Sequence, residues 1–398
     1  MNPFYKTTSI LIILASLVAC SKSSNNKDKN ILVAGLLFLQ SRTITSTGIG
    51  GPTATRVYGQ GGSFTTATSN KGGISADSLY DPKGIAVDSS GGVYIADESN
   101  NRVLYYSAGS TTATKVYGQA GSFSSNSNGT GNVTASTLFA PRGILLDSTG
   151  GVYISCSGRV LFYTSGSTTA TRVYGQLGVF TVQTANTGGI TANSLGGPTG
   201  LALDSSNGLY IADSGNDRVL YYPSGSTTAT RVYGTLGSFT SSIDYRFTIS
   251  ADSLYNPTGL LVDSSNGLYI ADSGNNRILY FPSGSIVPSK VYGQSDFTSR
   301  TSIYPAATAS SVNGASYLAM DKSGGLYVSG SSRVIYFPIG GTIATKVYGQ
   351  GGSFTTTTVN NGGISSNSIS AASGIALDAS ERLYIVDTNN NRVLYYST

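Results

Sequence analysis

Short apolar runs separated by polar turns recur along most of this chain, and their pattern predicts β-strands. In one unit, Ile85 to Val87 precede an Asp-Ser-Ser-Gly-Gly turn, Val93 to Ala96 precede a polar turn, and Arg102 to Tyr106 end at Ser-Ala-Gly-Ser. Thr112 to Gly118 supply a fourth run. Because each run is bounded by turn residues and none shows a helical period, the unit is predicted to be a four-stranded antiparallel sheet.

The cluster Val-Tyr-Gly-Gln marks this unit and recurs along the chain. Its copies begin at Val57, Val116, Val173, Val232, Val291 and Val347, with Thr235 replacing one Gln. Successive copies lie 59, 57, 59, 59 and 56 residues apart, so the period measures one supersecondary unit. Six four-stranded sheets with almost no helix predict an all-β fold, a six-bladed β-propeller.

The strand count also predicts how the ring closes. The last block, residues 374–396, is followed only by Ser397 and Thr398 and lacks its fourth strand, whereas residues 53–59 precede any three-strand block. We therefore expect residues 53–59 to pair with Arg392 to Tyr396 as the outer strand of the last blade, which shields the open sheet edges. The propeller is predicted to span residues 52–398.

The first residues carry signals of export and membrane attachment. A basic start with Lys6 precedes an apolar stretch, Ile10 to Ala19, that is too short to span a bilayer. Leu17-Val18-Ala19-Cys20 resembles a bacterial lipobox, in which the Cys becomes acylated. We expect a signal peptide over residues 1–19 and a lipid anchor at Cys20, and hence a place in the bacterial cell envelope.

Residues 20–51 are predicted to be a lipidated tether, polar from Ser21 to Asn30. Either the inner or the outer membrane is compatible with this anchor, with the body facing the periplasm or the cell exterior. The apolar run at residues 31–39 is too short to cross a membrane. We expect it to pack on the body, with contact to the membrane surface or a partner as the alternative.

Charge argues against nucleic acid as a partner. The chain has a net charge of +5, of which +4 lies in the first 51 residues, from Lys6, Lys22, Lys27, Lys29 and Arg42 against Asp28. The predicted body is therefore close to neutral. Affinity for a phosphate backbone depends on many clustered cations, so no nucleic-acid binding is expected.

The repeated block resembles the NHL-repeat family of β-propellers. The pattern P-x-G-ϕ-ϕ-ϕ-D-x-x-x-G-ϕ-Y-ϕ-A-D-S-x-N-x-R-V is met by Pro198 to Val219 and by Pro257 to Ile278, and the blocks at Pro82 and Gly374 are nearly as close. The likeness covers residues 52–398. It implies a non-catalytic binding or scaffold module for protein, peptide or glycan.

The second and fifth units depart from this pattern. Ser155-Cys156 and Ser329-Gly330 replace Ala-Asp, and the next turn is two residues shorter. In a sixfold ring these two blades face each other across the axis. Because Arg159 and Arg333 remain where the Asp is lost, we expect the Asp of the other four units to cap the long turn rather than to be an obligatory partner of the Arg. We expect Cys156 to be a buried thiol.

One face of the predicted propeller is the expected ligand face, because the second-to-third turns and the long connections between blades lie there. The candidate ligand residues are those of the repeated turns: Asp97, Asn100, Arg102, Asp213, Asn216, Asp217, Arg218, Asp272, Asn275, Arg277, Asp387, Asn390 and Arg392. A structural role for the repeated arginines and for Phe64, Phe123, Phe180, Phe239, Phe297 and Phe354 is the leading interpretation.

Six further aspartates precede Ser/Gly turns: Asp88, Asp147, Asp204, Asp263, Asp321 and Asp378. A carboxylate in such a place accepts backbone N–H bonds. Calcium is the alternative, but a calcium site needs several oxygen ligands converging on one point. We therefore expect no cofactor or metal.

The chain contains no histidine. Ser-His-Asp triads and His-ligated zinc are therefore excluded, and the propeller lyases that resemble this family rely on His. The leading hypothesis is thus a binding or scaffold module. The alternative is a His-independent lyase or hydrolase at the axial face, with candidate residues Asp217, Asp244, Tyr245, Arg246 and Arg300. Axial residues that differ between blades favour the enzyme, and repeated ones the scaffold.

Overall fold

The computed structural model describes residues 51–127, 132–241, 249–302 and 307–397. These residues form 24 β-strands and nine single-turn 3-10 helices, with no α-helix among them. No helix in the described part of the chain has the length and apolarity to cross a bilayer. The predicted signal peptide, Cys20 and the apolar run at 31–39 lie outside these ranges.

The strands form six antiparallel four-stranded sheets, the blades of a β-propeller, as the sequence predicts. Blade 1 contains β2 (Pro82–Val87), β3 (Val93–Asp97), β4 (Arg102–Tyr106) and β5 (Lys115–Tyr117). Blade 2 contains β6 (Pro141–Leu146), β7 (Val152–Cys156), β8 (Arg159–Tyr163) and β9 (Arg172–Tyr174). Blade 3 contains β10 (Pro198–Leu203), β11 (Leu209–Asp213), β12 (Arg218–Tyr222) and β13 (Arg231–Tyr233).

The remaining blades repeat this order. Blade 4 contains β14 (Pro257–Val262), β15 (Leu268–Asp272), β16 (Arg277–Phe281) and β17 (Lys290–Tyr292). Blade 5 contains β18 (Ala315–Met320), β19 (Leu326–Gly330), β20 (Arg333–Phe337) and β21 (Lys346–Tyr348). Blade 6 contains β22 (Ala372–Leu377), β23 (Leu383–Asp387), β24 (Arg392–Tyr396) and β1 (Arg56–Tyr58). The first strand of each blade contacts the first strands of both neighbours, so these six strands surround the axis.

The N-terminal strand closes the ring in the predicted way. In β1, Arg56, Val57 and Tyr58 pair with Tyr395, Leu394 and Val393 of β24. The same register joins the third and fourth strands within the other blades, for example Tyr105 with Lys115 and Val103 with Tyr117 in blade 1. Residues from before the first blade therefore complete the last one through backbone pairing.

Each blade is buried on both faces, because alternate side chains of a strand point to opposite neighbours. In blade 1, Ile95 and Leu104 belong to the core shared with blade 6, whereas Ala96 and Val103 belong to the core shared with blade 2. Six such cores lie between neighbouring blades. The predicted phenylalanine anchors pack against these cores, one at each.

An aromatic pair also joins every two neighbouring blades. The Tyr of each fourth strand meets the last aromatic residue of the next blade's third strand edge to face, and Tyr58 with Tyr106 (centroids 5.1 Å apart) closes the ring between blades 6 and 1. Edge-to-face contacts of this kind add to the stability gained from burial. The other pairs are Tyr117–Tyr163, Tyr174–Tyr222, Tyr233–Phe281, Tyr292–Phe337 and Tyr348–Tyr396.

Candidate functional site

The predicted ligand-face residues form buried clusters rather than a surface. In blade 1, the Oδ2 atom of Asp97 accepts hydrogen bonds from Arg102 Nε (2.7 Å) and Asn100 Nδ2 (2.8 Å), and Oδ1 accepts one from the Tyr80 backbone N–H (2.7 Å). The side chains of Asp97 and Arg102 have no exposed surface. Burial raises the pKa of Asp97, and the Arg102 charge opposes that rise. Because all its neighbours donate, the arrangement fits the ionised carboxylate.

The same cluster recurs in three more blades, each with the Asp, Asn and Arg of the sequence pattern. The arginine also ties together two loops. Arg102 donates to the carbonyl oxygens of Phe123, Ser75 and Ser78. All six arginines of this repeat are buried, so they do not form an exposed ring of donors. The other clusters are Asp213–Asn216–Arg218, Asp272–Asn275–Arg277 and Asp387–Asn390–Arg392.

The prediction that the Asp caps the long turn is wrong, whereas the arginines of blades 2 and 5 confirm that the Asp is not an obligatory partner of the Arg. Every one of these four aspartates forms an ion pair with its arginine, at 2.7 to 2.8 Å. None of them makes a side-chain hydrogen bond that caps the 3-10 turn it precedes. The carboxylate instead reaches back to the loop before its blade.

Blades 2 and 5 keep the arginine without the ion pair. Arg159 still donates to the carbonyl oxygens of Phe180, Thr134 and Thr137, but its buried Nε has no partner. Cys156 occupies the Asp position and is buried as predicted, and burial raises the pKa of its thiol. The backbone carbonyls therefore hold the guanidinium when the carboxylate is missing.

Asp217 also has a structural place that the sequence analysis missed. It adopts a left-handed conformation with φ of 53°, as Asn101, Asn276 and Asn391 do at the same point of their blades. Its Oδ1 accepts the backbone N–H of Asn256 at 2.6 Å, linking blade 3 to the next loop. Asp217 thus occupies a repeated backbone position at which the other blades named here have Asn. Arg300 is absent from the axial linings described below, and Asp244, Tyr245 and Arg246 lie outside the described residues.

The aspartates on the opposite face bind their own turns. Asp88 Oδ1 accepts the backbone N–H groups of Ser90 (2.9 Å) and Gly92 (2.8 Å), and the equivalent residue does so in every blade. Among the described residues, no group of three or more His, Cys, Asp or Glu side chains converges as metal ligands would.

An axial cavity of about 370 Å³ opens on the face that carries the second-to-third turns. We call this cavity the axial mouth. Six equivalent residues, the second of each blade's first strand, stand around the axis here, and they comprise two cations, two threonines and two serines. In blade order they are Lys83, Arg142, Thr199, Thr258, Ser316 and Ser373, all of which line the cavity.

An ionic link crosses from blade 1 to blade 2 at the axial mouth. Glu98, which is buried, accepts Arg142 Nε on Oε1 at 2.7 Å and lies 3.5 Å from Lys83 Nζ through Oε2. Lys83 also pairs with Asp81 at 2.9 Å. The chain of charges Asp81–Lys83–Glu98–Arg142 therefore alternates in sign and ends at the guanidinium. The side chain of Arg142 is 48% exposed.

Tyr317 forms the floor of the axial mouth. Five blades have a glycine at this position, where the first strands approach so closely that a Cβ at Gly84 would overlap the carbonyl oxygen of Arg142. In blade 5, Tyr317 instead extends across the axis, and its hydroxyl donates to the Arg142 carbonyl of the facing blade at 3.2 Å. This contact confirms that blades 2 and 5 face each other. Burial raises the pKa of the Tyr317 phenol.

Below Tyr317 the axis continues as a second cavity of about 380 Å³, lined by the first strands of all six blades. Tyr317 belongs to the lining of both cavities and lies at their boundary. The axial mouth is therefore a pocket with a floor, and its volume lies within the range typical of small-molecule sites.

Three segments of the chain match the NHL repeat model, at residues 79–106, 195–222 and 254–281. Each covers the first three strands of a blade, in blades 1, 3 and 4. The resemblance stated from the sequence is confirmed: the chain carries NHL repeats in a six-bladed propeller. A comparison with curated proteins found no match.

Several solved propellers are similar in fold. A protein of unknown function from Bacteroides thetaiotaomicron superposes with a TM-score of 0.55 at 14% identity, over 88% of this chain and 74% of that one. A putative gluconolactonase gives 0.50 at 13% identity, over 87% and 98%. A streptogramin B lyase gives 0.46 at 11% identity, over 80% and 84%. At these identities the likeness concerns the fold alone.

Proposed function

We propose that this NHL-repeat propeller is a non-catalytic binding module that takes a small polar ligand, or the tip of a peptide or glycan, in the axial mouth. The observation that carries the proposal is the divergence of the six equivalent residues around the axis, together with Tyr317. At positions with a purely structural role, such as those of Arg102 and Phe123, all six units have the same residue. Residues that differ around the axis favour a specific site over a uniform scaffold surface.

Axial residues that differ between blades are also expected of an enzyme, but the chemistry of the axial mouth favours binding. A general base must be able to accept a proton from its substrate. Both oxygens of Glu98 lie next to a cation, Arg142 or Lys83. The Tyr317 phenol is protonated at neutral pH, as an ordinary tyrosine is, and burial raises its pKa further. The described lining offers neither a free carboxylate nor a His.

We further propose that lipid on Cys20 holds the propeller at a bacterial membrane, at the cell surface or in the periplasm. The lipobox-like sequence before Cys20 and the polar residues after it support this proposal. Several acyl chains on one residue give stable attachment. A tethered binding module with its site at the axis would then capture ligands close to the envelope.

The binding site can be tested by a thermal-shift screen of the full chain against sugars, amino acids and short peptides. The screen is repeated with the triple variant Lys83→Thr, Arg142→Thr and Tyr317→Gly. These substitutions introduce the residues that other blades already have at the same positions, and because they leave Glu98 without a cation, far-UV circular dichroism must first show that the variant is folded. We expect ligands that stabilise the wild type to lose their effect on the triple variant.

Lys346→Thr is the matched control, because Lys346 lies on the outer strand β21 over the Tyr336 ring, away from the axial mouth. It removes a cation and should leave all hits intact. Hits that persist in the triple variant, or a panel without any hit, would contradict the proposed site.

A further inference from the structure

We propose that the axial mouth selects ligands that carry a carboxylate, which accepts two parallel hydrogen bonds from the terminal nitrogens of Arg142. This inference rests on the proposed function, since it names the chemistry of the ligand for the same site. It follows from how blades 1 and 2 are joined, compared with the other junctions around the axis.

Three junctions use hydroxyl groups for the same link. In blade 3, the Thr199 hydroxyl lies 2.6 Å from that of Ser214, which donates to the Pro257 carbonyl of blade 4. Blades 4 and 6 repeat this arrangement with Thr258 and Ser273, and with Ser373 and Thr388. At blade 1 the corresponding residues are Lys83 and Glu98, and Glu98 accepts the Arg142 side chain of blade 2 where the hydroxyls of the other junctions donate to a carbonyl oxygen. Since hydroxyls suffice elsewhere, holding the blades together does not require these charges.

The geometry leaves one part of the ionic link open. Arg142 uses Nε for Glu98, and its terminal nitrogens make no hydrogen bond to any residue of the described ranges. Its side chain is 48% exposed, whereas that of Glu98 is 10% exposed. A planar guanidinium presents paired donors that match the two oxygens of a carboxylate. The chain of alternating charges thus ends in a guanidinium whose terminal nitrogens are free to donate, and a ligand carboxylate would supply the next negative charge.

Arg142 is held in place at two points, one on its side chain and one on its backbone. Glu98 fixes its Nε, and the backbone carbonyl of Arg142 accepts the Tyr317 hydroxyl from across the axis. A donor fork that is ordered before the ligand arrives costs less entropy on binding. The rest of the lining offers side-chain hydroxyls and the Asn389 amide. This lining suits a ligand body rich in hydrogen-bonding groups, such as a uronic acid or a peptide C-terminus.

The test is calorimetric titration of the full chain with two matched pairs. One pair is D-glucuronate and D-glucuronamide, and the other is alanyl-alanine and its amide. Charge-assisted bonds to a carboxylate are stronger than neutral ones, so we expect the acid of at least one pair to bind about 10-fold or more tighter than its amide. The pair that shows this preference identifies the source of the carboxylate.

Two variants assign the preference to Arg142. Arg142→Thr, which copies the residue of blades 3 and 4, should bring the acid down to the affinity of its amide. Arg142→Lys keeps the charge without the fork and should retain part of the difference. Lys346→Thr should change nothing. A preference that survives in Arg142→Thr would place the anion elsewhere and overturn the inference.

The outcomes separate this inference from the proposed function. Acids and amides that bind equally well, and lose affinity in Tyr317→Gly, would overturn the carboxylate assignment and leave the axial binding site standing. A chain that binds no member of either pair would overturn the carboxylate assignment. If the wider thermal-shift screen is also empty, the binding function falls with it.

Discussion

Replacing Asp213 with Asn tests whether the buried ion pairs stabilise the blades. The carboxylate of Asp213 accepts three hydrogen bonds, from the Gly196 backbone N–H (2.6 Å), Asn216 Nδ2 (2.7 Å) and Arg218 Nε (2.8 Å). An Asn side chain supplies only one acceptor oxygen. Its NH2 group, with two donor hydrogens, would face groups that are themselves hydrogen-bond donors. At least one buried N–H group is therefore left unpaired, and Arg218 loses its counter-charge.

The expected loss is about 3 kcal/mol in the free energy of unfolding. Breaking a buried ion pair costs about 3 to 5 kcal/mol. The lower end applies, because Arg218 keeps its bonds to the carbonyls of Phe239, Thr191 and Ser194. Blade 2 shows that such bonds hold an arginine without a carboxylate, since Arg159 Nε is unpaired there.

The matched control is Asp204→Asn in the same blade. Asp204 accepts the backbone N–H groups of Ser206 and Gly208 at 2.9 and 2.7 Å and the Tyr221 hydroxyl at 2.9 Å, but among the described residues no cation pairs with it. We expect this change to cost about 1 kcal/mol. Urea denaturation followed by far-UV circular dichroism measures both values. If the two variants differ by less than about 1 kcal/mol, the ion pair adds little to the carbonyl bonds and the reasoning fails.

Three more predictions follow from burial, ring closure and the proposed anchor. Burial raises the pKa of Tyr106, Tyr163, Tyr222 and Tyr396, so the native state retains protons that the unfolded chain loses near pH 10, and stability should be complete below about pH 10 and fall above it. Ultraviolet titration should show phenolate forming later in the native than in the urea-unfolded chain, and superposable curves would contradict this. Val57→Asp places a charge in the core between blades 5 and 6 and should lower the free energy of unfolding by about 3 kcal/mol or more, whereas Thr55→Asp, at an exposed site, should cost little; equal melting temperatures would argue against closure by β1. Cys20→Ala should abolish fatty-acid labelling and membrane association of the full chain, and label that is equal in both proteins would remove the anchor.

The fold could be predicted from the sequence because the same packing problem is solved six times. Each copy of Val-Tyr-Gly places its Tyr against the next blade, and each Arg ties two loops together, so these residues repeat with the blade period. The leading strand TATRVYG had no blade of its own, and pairing with β24 was the arrangement that left no open edge. Repetition was therefore a sufficient guide to the architecture.

The candidate site could not be predicted in the same way, because it depends on residues that do not repeat. Lys83 and Arg142 occupy the variable second position of the P-x-G pattern. Tyr317 replaces the glycine of that pattern in blade 5, and the sequence analysis gave this replacement no role. Variation within that position was a signal that the sequence offered. The contact of Glu98 with Arg142 was beyond sequence reasoning, since the two lie 44 residues apart and meet only through the geometry of the blade junction.

The buried aspartates illustrate a different limit. Loss of the Asp together with two turn residues in blades 2 and 5 suggested that the Asp mainly caps the turn and is not an obligatory partner of the Arg. The structure shows that it serves the turn's Asn, the preceding loop and the Arg at once. Covariation along the chain cannot separate partners that are lost together.

The three-residue pairing of β1 with β24 has a mechanical consequence. β1 is the first strand after residue 51, so a force applied at residue 51 acts on β1 before it acts on another strand of the propeller. The ring is then expected to open first at the pairing of β1 with β24, while the other five blades keep their covalent connections. Tension on the N-terminus is thus converted into opening of a single seam.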